Sequence, residues 1–337
     1  MLVSWNTTNQ CNLYCDHCYR DAGSVMSSEL NTEEARQLIQ DIKKAGFKIM
    51  IFSGGEPLMR PDIYELISFA SSQGLRAVLG SNGTLIDAAA ARKLKAAGIM
   101  AAGISLDSLD ENKHDSFRGL PQASAMTREG LNNLRQAGIP YQIHTTVMEW
   151  NSDELEALTD FAIEIGAMAH HVFFLVPTGR GADIEQEALR VAAYEKTIAR
   201  LMNKQKTVSI EIKPTCAPQF IRVADKKGIP LRFSRGCLAG ISYCIINPRG
   251  DVQPCAYLDM PLANVRETPF DVIWRDNPLF RTLRTLEYQG KCGSCDYRER
   301  CGGCRARAYY YSGGNYMAED QWCLYKPGER QSDETVG

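Results

Sequence analysis

Cys11, Cys15 and Cys18 fall in the run Cys11-Asn-Leu-Tyr-Cys15-Asp-His-Cys18, three thiols within eight residues. Such spacing lets three thiolates converge on one metal centre, yet the next cysteine is Cys216, nearly two hundred positions further on. A closed four-thiolate site is therefore not formed locally. A [4Fe–4S] cluster with three protein ligands leaves one iron open, and an open iron is a place for chemistry. The alternative is a structural zinc site completed from elsewhere, for instance by His17, although zinc motifs favour paired ligands.

The remaining cysteines are polarised toward the other end. Cys216 stands alone in Lys213-Pro-Thr-Cys216-Ala-Pro-Gln, and eight more lie between Cys237 and Cys323. Those eight read Cys237-x6-Cys244-x10-Cys255, then Cys292-x2-Cys295-x5-Cys301-x2-Cys304, then Cys323. Eight thiolates are two complete four-cysteine sites, although Cys-x2-Cys pairs serve zinc ribbons equally well. A lone cysteine is most often a small buried apolar group. The proline-bracketed loop makes Cys216 a candidate to ligate a substrate metal or to supply a hydrogen atom.

The elements that must position these residues follow from the apolar pattern. Strand-like runs at 2–8, 48–53, 75–80, 100–106, 140–148 and 170–176 alternate with helical segments near 32–45, 61–73, 87–97, 122–137 and 153–166. Asn31-Thr-Glu-Glu, Pro61-Asp and Ser152-Asp-Glu are helix starts, and Ala45-Gly, Ala97-Gly, Ala137-Gly and Ile165-Gly are helix stops. This alternation predicts a parallel sheet with right-handed crossovers, six units long, hence an open partial (β/α)6 barrel over 1–180. Residues 181–229 form a linking region with one helix near 185–203. From 230 to 327 cysteine, glycine and aromatic content rises and periodicity fades, as in a small metal-stapled domain, and a polar tail fills 328–337.

Composition bounds the function. A chain of 337 residues with 44% hydrophobic and 23% charged residues is an ordinary globular protein. A net charge of −2 argues against nucleic acid as the main ligand. No apolar run approaches the roughly 20 residues of a membrane span, and the N-terminus lacks a signal-peptide pattern. A cytoplasmic protein is expected, so the twelve cysteines call for metal ligation before disulfides.

Strand ends carry further candidates. Ser53-Gly54-Gly55-Glu56-Pro57 closes the second strand; two glycines let backbone approach a ligand, and Glu56 is a charged acceptor for an ammonium. On its own Gly-Gly before Pro is a turn. Ser81-Asn82-Gly83 and Ser105-Leu-Asp107 sit at barrel ends where ligand contacts cluster, and equally suit a turn and a helix cap. Arg118 can pair with a carboxylate or form an ordinary ion pair, and Thr145 and Thr146 lie on the fifth strand.

The Cys11/Cys15/Cys18 spacing resembles that of the radical S-adenosylmethionine (SAM) superfamily, and the later cysteines, with Gly250-x4-Cys255, resemble its C-terminal SPASM extension. The resemblance implies a [4Fe–4S] cluster on the three cysteines, its open iron chelating SAM. It further implies that Gly54, Gly55, Glu56 and Pro57 serve the methionine amino group, that Ser81, Asn82, Ser105 and Asp107 touch ribose and carboxylate, and that Arg118 pairs with the carboxylate. His17 would lie near the adenine. Two auxiliary [4Fe–4S] clusters are implied, one on Cys237, Cys244, Cys255 and Cys304, the other on Cys292, Cys295, Cys301 and Cys323. The usual pattern has three residues between the cysteines matching Cys301 and Cys304; here there are two.

Trp5-Asn-Thr-Thr-Asn-Gln-Cys11, Cys18-Tyr-Arg-Asp-Ala-Gly, Val172-Phe-Phe-Leu-Val-Pro-Thr-Gly-Arg180-Gly and the Cys216 loop resemble a narrower group, the radical SAM proteins of haem d1 and siroheme-dependent haem synthesis. That implies an enzyme acting on the acetate or propionate side chains of an iron tetrapyrrole through a 5′-deoxyadenosyl radical. A flavodoxin- or ferredoxin-type electron donor and a monomeric state are expected with it. Arg180, with Arg222, Arg232 and Arg235, could clamp peripheral carboxylates. His170 and His171 could reach a haem iron, or pack and cap. A peptide-modifying maturase uses the same two domains and usually adds an N-terminal peptide-binding domain, for which a first strand at residue 2 leaves no room.

Overall fold

Each of the first six strands is a run of five to seven mostly buried or half-buried residues. They are β1 (Leu2–Asn6), β2 (Ile49–Ser53), β3 (Arg76–Ser81), β4 (Ala101–Ser105), β5 (Tyr141–Val147) and β6 (Ala169–Phe174). Helices α1 (Thr32–Lys44), α2 (Ile63–Ser72), α3 (Ala88–Ala96), α4 (Glu111–Arg118), α5 (Ala123–Gln136) and α6 (Leu155–Glu164) connect them. The computed structural model describes residues 1–328; apart from Gly328, the polar tail read from the sequence lies outside them. Asn31 caps α1 as expected: it accepts the Glu34 N–H at 3.0 Å while Glu34 accepts the Asn31 N–H at 2.8 Å, a box that contributes about 1 kcal/mol. Asp62, by contrast, makes no cap bond to α2, because its carboxylate is held by Arg60 and Thr32.

All six strands are parallel neighbours in chain order, so the partial barrel expected from the alternation is present and stays open. The sheet does not stop there. A seventh parallel strand, β7 (Glu211–Thr215), comes from the region read as a linker and pairs with β6, after helix α7 (Val191–Gln205) and before α8 (Phe220–Lys226). On the other edge β8 (Tyr243–Ile246) pairs parallel with β1, and β9 (Asp251–Gln253) and β10 (Ala263–Asn264) continue antiparallel. The result is one ten-stranded sheet, ordered β10-β9-β8-β1-β2-β3-β4-β5-β6-β7.

The cysteine-rich part therefore grows out of the barrel sheet. Its strands are too short, at two to four residues, to announce themselves as an apolar periodicity. Four helices complete it: α9 (Phe270–Asp276), α10 (Pro278–Thr285), α11 (Gly290–Gly293) and α12 (Arg305–Tyr311). The main apolar core runs from Val3 and Trp5 through Phe52, Leu79, Ile104, Ile143 and Phe174 to Phe270, Phe280 and Trp322, with two smaller clusters beside it. Among the described residues no helix is long and apolar enough to cross a membrane.

Candidate active site

The loop after β1 carries Cys11, Cys15 and Cys18, all half-buried. Its backbone is laid directly on the end of β2. Gly55 N–H donates to the Thr8 carbonyl and Glu56 N–H to the Gln10 carbonyl, both at 2.8 Å. A Cβ on Gly54 would stand 2.6 Å from the Thr8 oxygen, and one on Gly55 would stand 2.2 Å from the Gln10 oxygen. The glycine pair thus admits the cysteine loop itself, a closer approach than the ligand contact inferred from sequence. Pro57 opens the short 3-10 turn that follows.

Arg180 clasps the other side of this loop. Its Nε donates to the Cys15 carbonyl at 2.9 Å and Nη1 to the Ala22 carbonyl at 3.0 Å, with the guanidinium 3.9 Å from the Tyr14 ring centroid. Those two donors hold the backbone of the loop that carries the thiols. The sulfurs receive donors of their own: Leu13 N–H points at Cys11 Sγ (3.5 Å) and Arg118 Nη1 at Cys15 Sγ (3.9 Å). Burial pushes the Cys11 thiol up to about 11. A half-buried set of thiols with N–H and guanidinium donors aimed at sulfur suits thiolates that a metal cluster keeps deprotonated.

Two buried carboxylates stand beside the loop. Glu56 accepts from Ser81 Oγ (2.9 and 3.0 Å), from the Asn82 N–H (3.0 Å) and from the Leu58 N–H (3.2 Å). Asn82 in turn donates to Asn12 within the cysteine loop at 3.0 Å. Burial raises the Glu56 carboxyl to about 7 despite these donors. Asp107 accepts from Arg118 Nε (2.6 Å) and from the Thr146 N–H (2.8 Å). Burial alone would raise its pKa, but the Arg118 guanidinium, with His17 and His114, holds it below the usual carboxylate range. His17 stacks on Phe117, ring centroids 4.1 Å apart, and its buried Nδ1 has no hydrogen-bond partner among the described residues. The structure thus gathers His17, Glu56, Ser81, Asn82, Asp107 and Arg118 around the three thiols.

The concave face of the sheet shows a feature the sequence reading passed over. Ser105, His144, His171 and Lys213 are register partners on β4, β5, β6 and β7, forming one row of half-buried side chains. Thr146, Phe173 and Thr215 form the next row. The His144 and His171 rings stack at 5.4 Å. Gly103 makes room for them, since a Cβ there would meet the His144 ring at 2.3 Å. The signal was present in the phase: these residues alternate with the fully buried Ile143, Val172 and Ile212. His170 faces the helices, where it bridges Thr159 and Thr145 at 2.9 Å on each side.

The other arginines weighed as carboxylate clamps are differently placed. Arg222 pairs with Glu195 at 2.6 Å, and Arg235 donates to the Cys237 carbonyl, the Glu299 carbonyl and Tyr288. Arg232 lies with Phe233 and Arg300 beside an open surface pocket.

The C-terminal cysteines separate into two groups. Cys292, Cys295, Cys301 and Cys323 line one cavity together with Gly302 and Gly303. A Cβ on Gly303 would come within 3.1 Å of Cys292 Sγ. The Asp320 and Tyr297 N–H groups donate to Cys292 and Cys295, both at 3.4 Å, and those of Gly303 and Tyr325 lie beside Cys301 and Cys323. Gly302 and Gly303 both have positive φ (76° and 60°), which turns the chain tightly enough for the two-residue spacing to send Cys301 and Cys304 to different sites. Cys304 packs instead with Cys255 and Cys216, and Cys237 is an electrostatic neighbour of Cys304 and Cys255. Cys244 does not join them. It lies in β8 opposite Val3 and is buried in the main core.

Comparison with known proteins agrees with this layout. Residues 5–162 match the family model described as the radical SAM superfamily, and residues 237–305 match SPASM, an iron–sulfur cluster-binding domain. An "AdoMet-dependent heme synthase" of Nitratidesulfovibrio vulgaris is 43% identical over 97% of this chain and 92% of its own length. An "Fe-coproporphyrin III synthase" of Methanosarcina barkeri is 31% identical over 96% of this chain and 87% of its own. In fold, Streptococcus suis SuiB, solved bound to S-adenosylmethionine, superposes with a TM-score of 0.76 over 96% of this chain and 77% of its own at 17% identity.

Proposed function

The chain belongs to the radical SAM superfamily, in the branch that carries a C-terminal SPASM domain, and from that premise we propose that it acts in haem synthesis on the propionate side chains of an iron tetrapyrrole made from siroheme. Such enzymes bind a [4Fe–4S] cluster and SAM, with auxiliary clusters in the SPASM part. Bound at Cys11, Cys15 and Cys18, that cofactor pair supplies a carbon radical able to take hydrogen from an unactivated carbon.

The observation that carries the reading is the row Ser105, His144, His171 and Lys213 across the concave face. A lysine and two imidazoles suit an acidic, metal-bearing macrocycle. Lys213 is largely desolvated, which lowers its pKa and would favour a carboxylate partner. Phe173 and Thr146 on the adjoining row offer one apolar and one hydroxyl contact. The greater identity to a haem synthase than to an iron-coproporphyrin synthase supports reading iron-coproporphyrin as its substrate.

A propionate that becomes a vinyl group loses one hydrogen atom, one CO2 and one electron. The protein's part is to hold that side chain near the open iron, to exclude water, and to keep an electron acceptor within reach. Cys216 follows Thr215 directly on the β7 end, and Tyr19 of the first loop meets Tyr257 at 5.4 Å. An auxiliary cluster held by the C-terminal cysteines would supply an electron acceptor, and a flavodoxin- or ferredoxin-type protein would supply the electron that SAM cleavage consumes. Anaerobic incubation with SAM, a reductant and either iron-coproporphyrin or 12,18-didecarboxysiroheme, read by mass spectrometry, tests this. Loss of CO2 and hydrogen from iron-coproporphyrin is expected; no mass change with either would overturn the tetrapyrrole assignment.

A further inference from the structure

Cys244 and Cys216 are placed differently from what the family resemblance implies for them. Cys11 and Cys295 receive at sulfur the N–H of the residue two positions later, at 3.5 and 3.4 Å, and at Cys237, Cys255, Cys301 and Cys323 the N–H two positions later lies beside the sulfur and favours its thiolate. That turn suits a cluster-bound thiolate, because an N–H···S bond offsets the sulfur's charge, while Cys292 and Cys304 have N–H groups from Asp320 and Arg307 beside their sulfurs instead. A strand cannot make that turn, and Cys244 is in a strand. Its neighbours Tyr243 and Ile245 are laddered beside Leu2 and Ser4, its side chain is wholly buried, and among the described residues no N–H is aimed at its sulfur. It packs in the barrel core, while Cys255 and Cys304 belong to a separate cluster with Leu258, Ala306 and Cys216.

Cys216 has the opposite character. Its side chain packs beside Cys304 and Cys255, with the thiols close enough to interact. Its backbone is in the left-handed region at φ 59°, where glycine or asparagine is ordinarily found and another side chain is kept only for a reason. Two buried residues fix it there. Arg307 donates from Nη1 to the Cys216 carbonyl at 2.9 Å and pairs with Asp320 at 2.8 and 2.7 Å. Asp320 accepts the Cys304 N–H at 2.8 Å and the Gln219 side-chain amide at 2.7 Å. The Cys216 loop and Cys304 are thus tied to one carboxylate, with a guanidinium beside their sulfurs.

We infer that Cys216 is the fourth thiolate of the auxiliary iron–sulfur site built by Cys237, Cys255 and Cys304, and that Cys244 is a core residue outside it. This rests on the chain's iron–sulfur chemistry and is independent of which substrate it takes. The test uses full-length protein purified and reconstituted anaerobically, with iron and sulfide counted per chain and the reduced clusters read by electron paramagnetic resonance (EPR). Cys216→Gly is the apt variant, since glycine accepts the backbone and only the thiol is lost. Cys216→Gly is expected to lose up to a third of about twelve irons, with the missing signal partly restored by added 2-mercaptoethanol as an external thiolate. Cys244→Ala is expected to keep the full iron count and spectrum. Iron retained in Cys216→Gly, or iron lost from a folded Cys244→Ala, would overturn the assignment. Should Cys244→Ala fail to fold, Cys244→Val, which fills the same core volume without a ligand atom, gives the same reading.

Discussion

The thiols of the first loop and those of the C-terminal part are held in different ways. Cys11, Cys15 and Cys18 sit on one continuous loop that is gripped through its backbone, by Gly54 and Gly55 on one side and by Arg180 on the other. The C-terminal sets draw cysteines from separate elements, and a buried Arg307–Asp320 pair joins two of those elements. A loop gripped from outside can present three sulfurs and leave the fourth corner to a ligand. Thiols collected from several elements close around their site, and their donors face inward. Openness and closure thus follow from where the chain supplies each thiol, before any metal is considered.

The largest expected effect breaks the closed side. Asp320→Ala leaves Arg307 buried without its partner and should cost about 3–5 kcal/mol, read as a fall in the thermal midpoint of the protein without metal. Opposing burial, Arg307 holds the Asp320 carboxyl near about 2, below its unfolded value of 3.8. The stability it contributes is therefore present above about pH 4 and is lost as pH falls toward 2. A midpoint unchanged by Asp320→Ala would mean the network does not hold this region together.

A smaller effect is expected on the open side. Arg180→Ala removes two donors and a ring contact from the first loop, about 1–3 kcal/mol by the cost of leaving carbonyls unpaired. An iron chelator should then strip roughly a third of the iron faster, with the remainder unaffected. Uniform acceleration would contradict separate attachment of the two regions.

The smallest effect concerns Glu56. Its carboxyl is raised to about 7, so it is ionised only above that pH. If it faces the SAM ammonium, SAM affinity should weaken about tenfold per pH unit below 7, and Glu56→Gln should flatten that slope. An equally steep profile in Glu56→Gln would remove Glu56 from the SAM site.

Much of this was legible because it is local. The cysteine loop, the six strands and the Glu56 turn are contiguous runs whose spacing carries their meaning, and Asn31 with Glu34 declares the first helix. What stayed hidden depends on which way a residue faces after folding. Cys244 has good ligand spacing, yet strand β8 turns it to the core. Cys216 looks solitary until α12 brings Arg307 and Cys304 beside it. His144 and Lys213 become a pair of interest only when β7, unrecognised in the linking region, aligns with β6. Gly54 and Gly55 were noticed as an approach site, but what approaches is the chain itself.

We propose that SAM meets iron only at the open corner left by Cys11, Cys15 and Cys18. The direct measurement is the EPR spectrum of the dithionite-reduced Cys11→Ala/Cys15→Ala/Cys18→Ala protein, recorded with and without SAM beside an iron count. About eight of about twelve irons should remain, and SAM should leave the spectrum unchanged. A spectrum that still shifts on adding SAM would place an open iron in the C-terminal part and contradict the account.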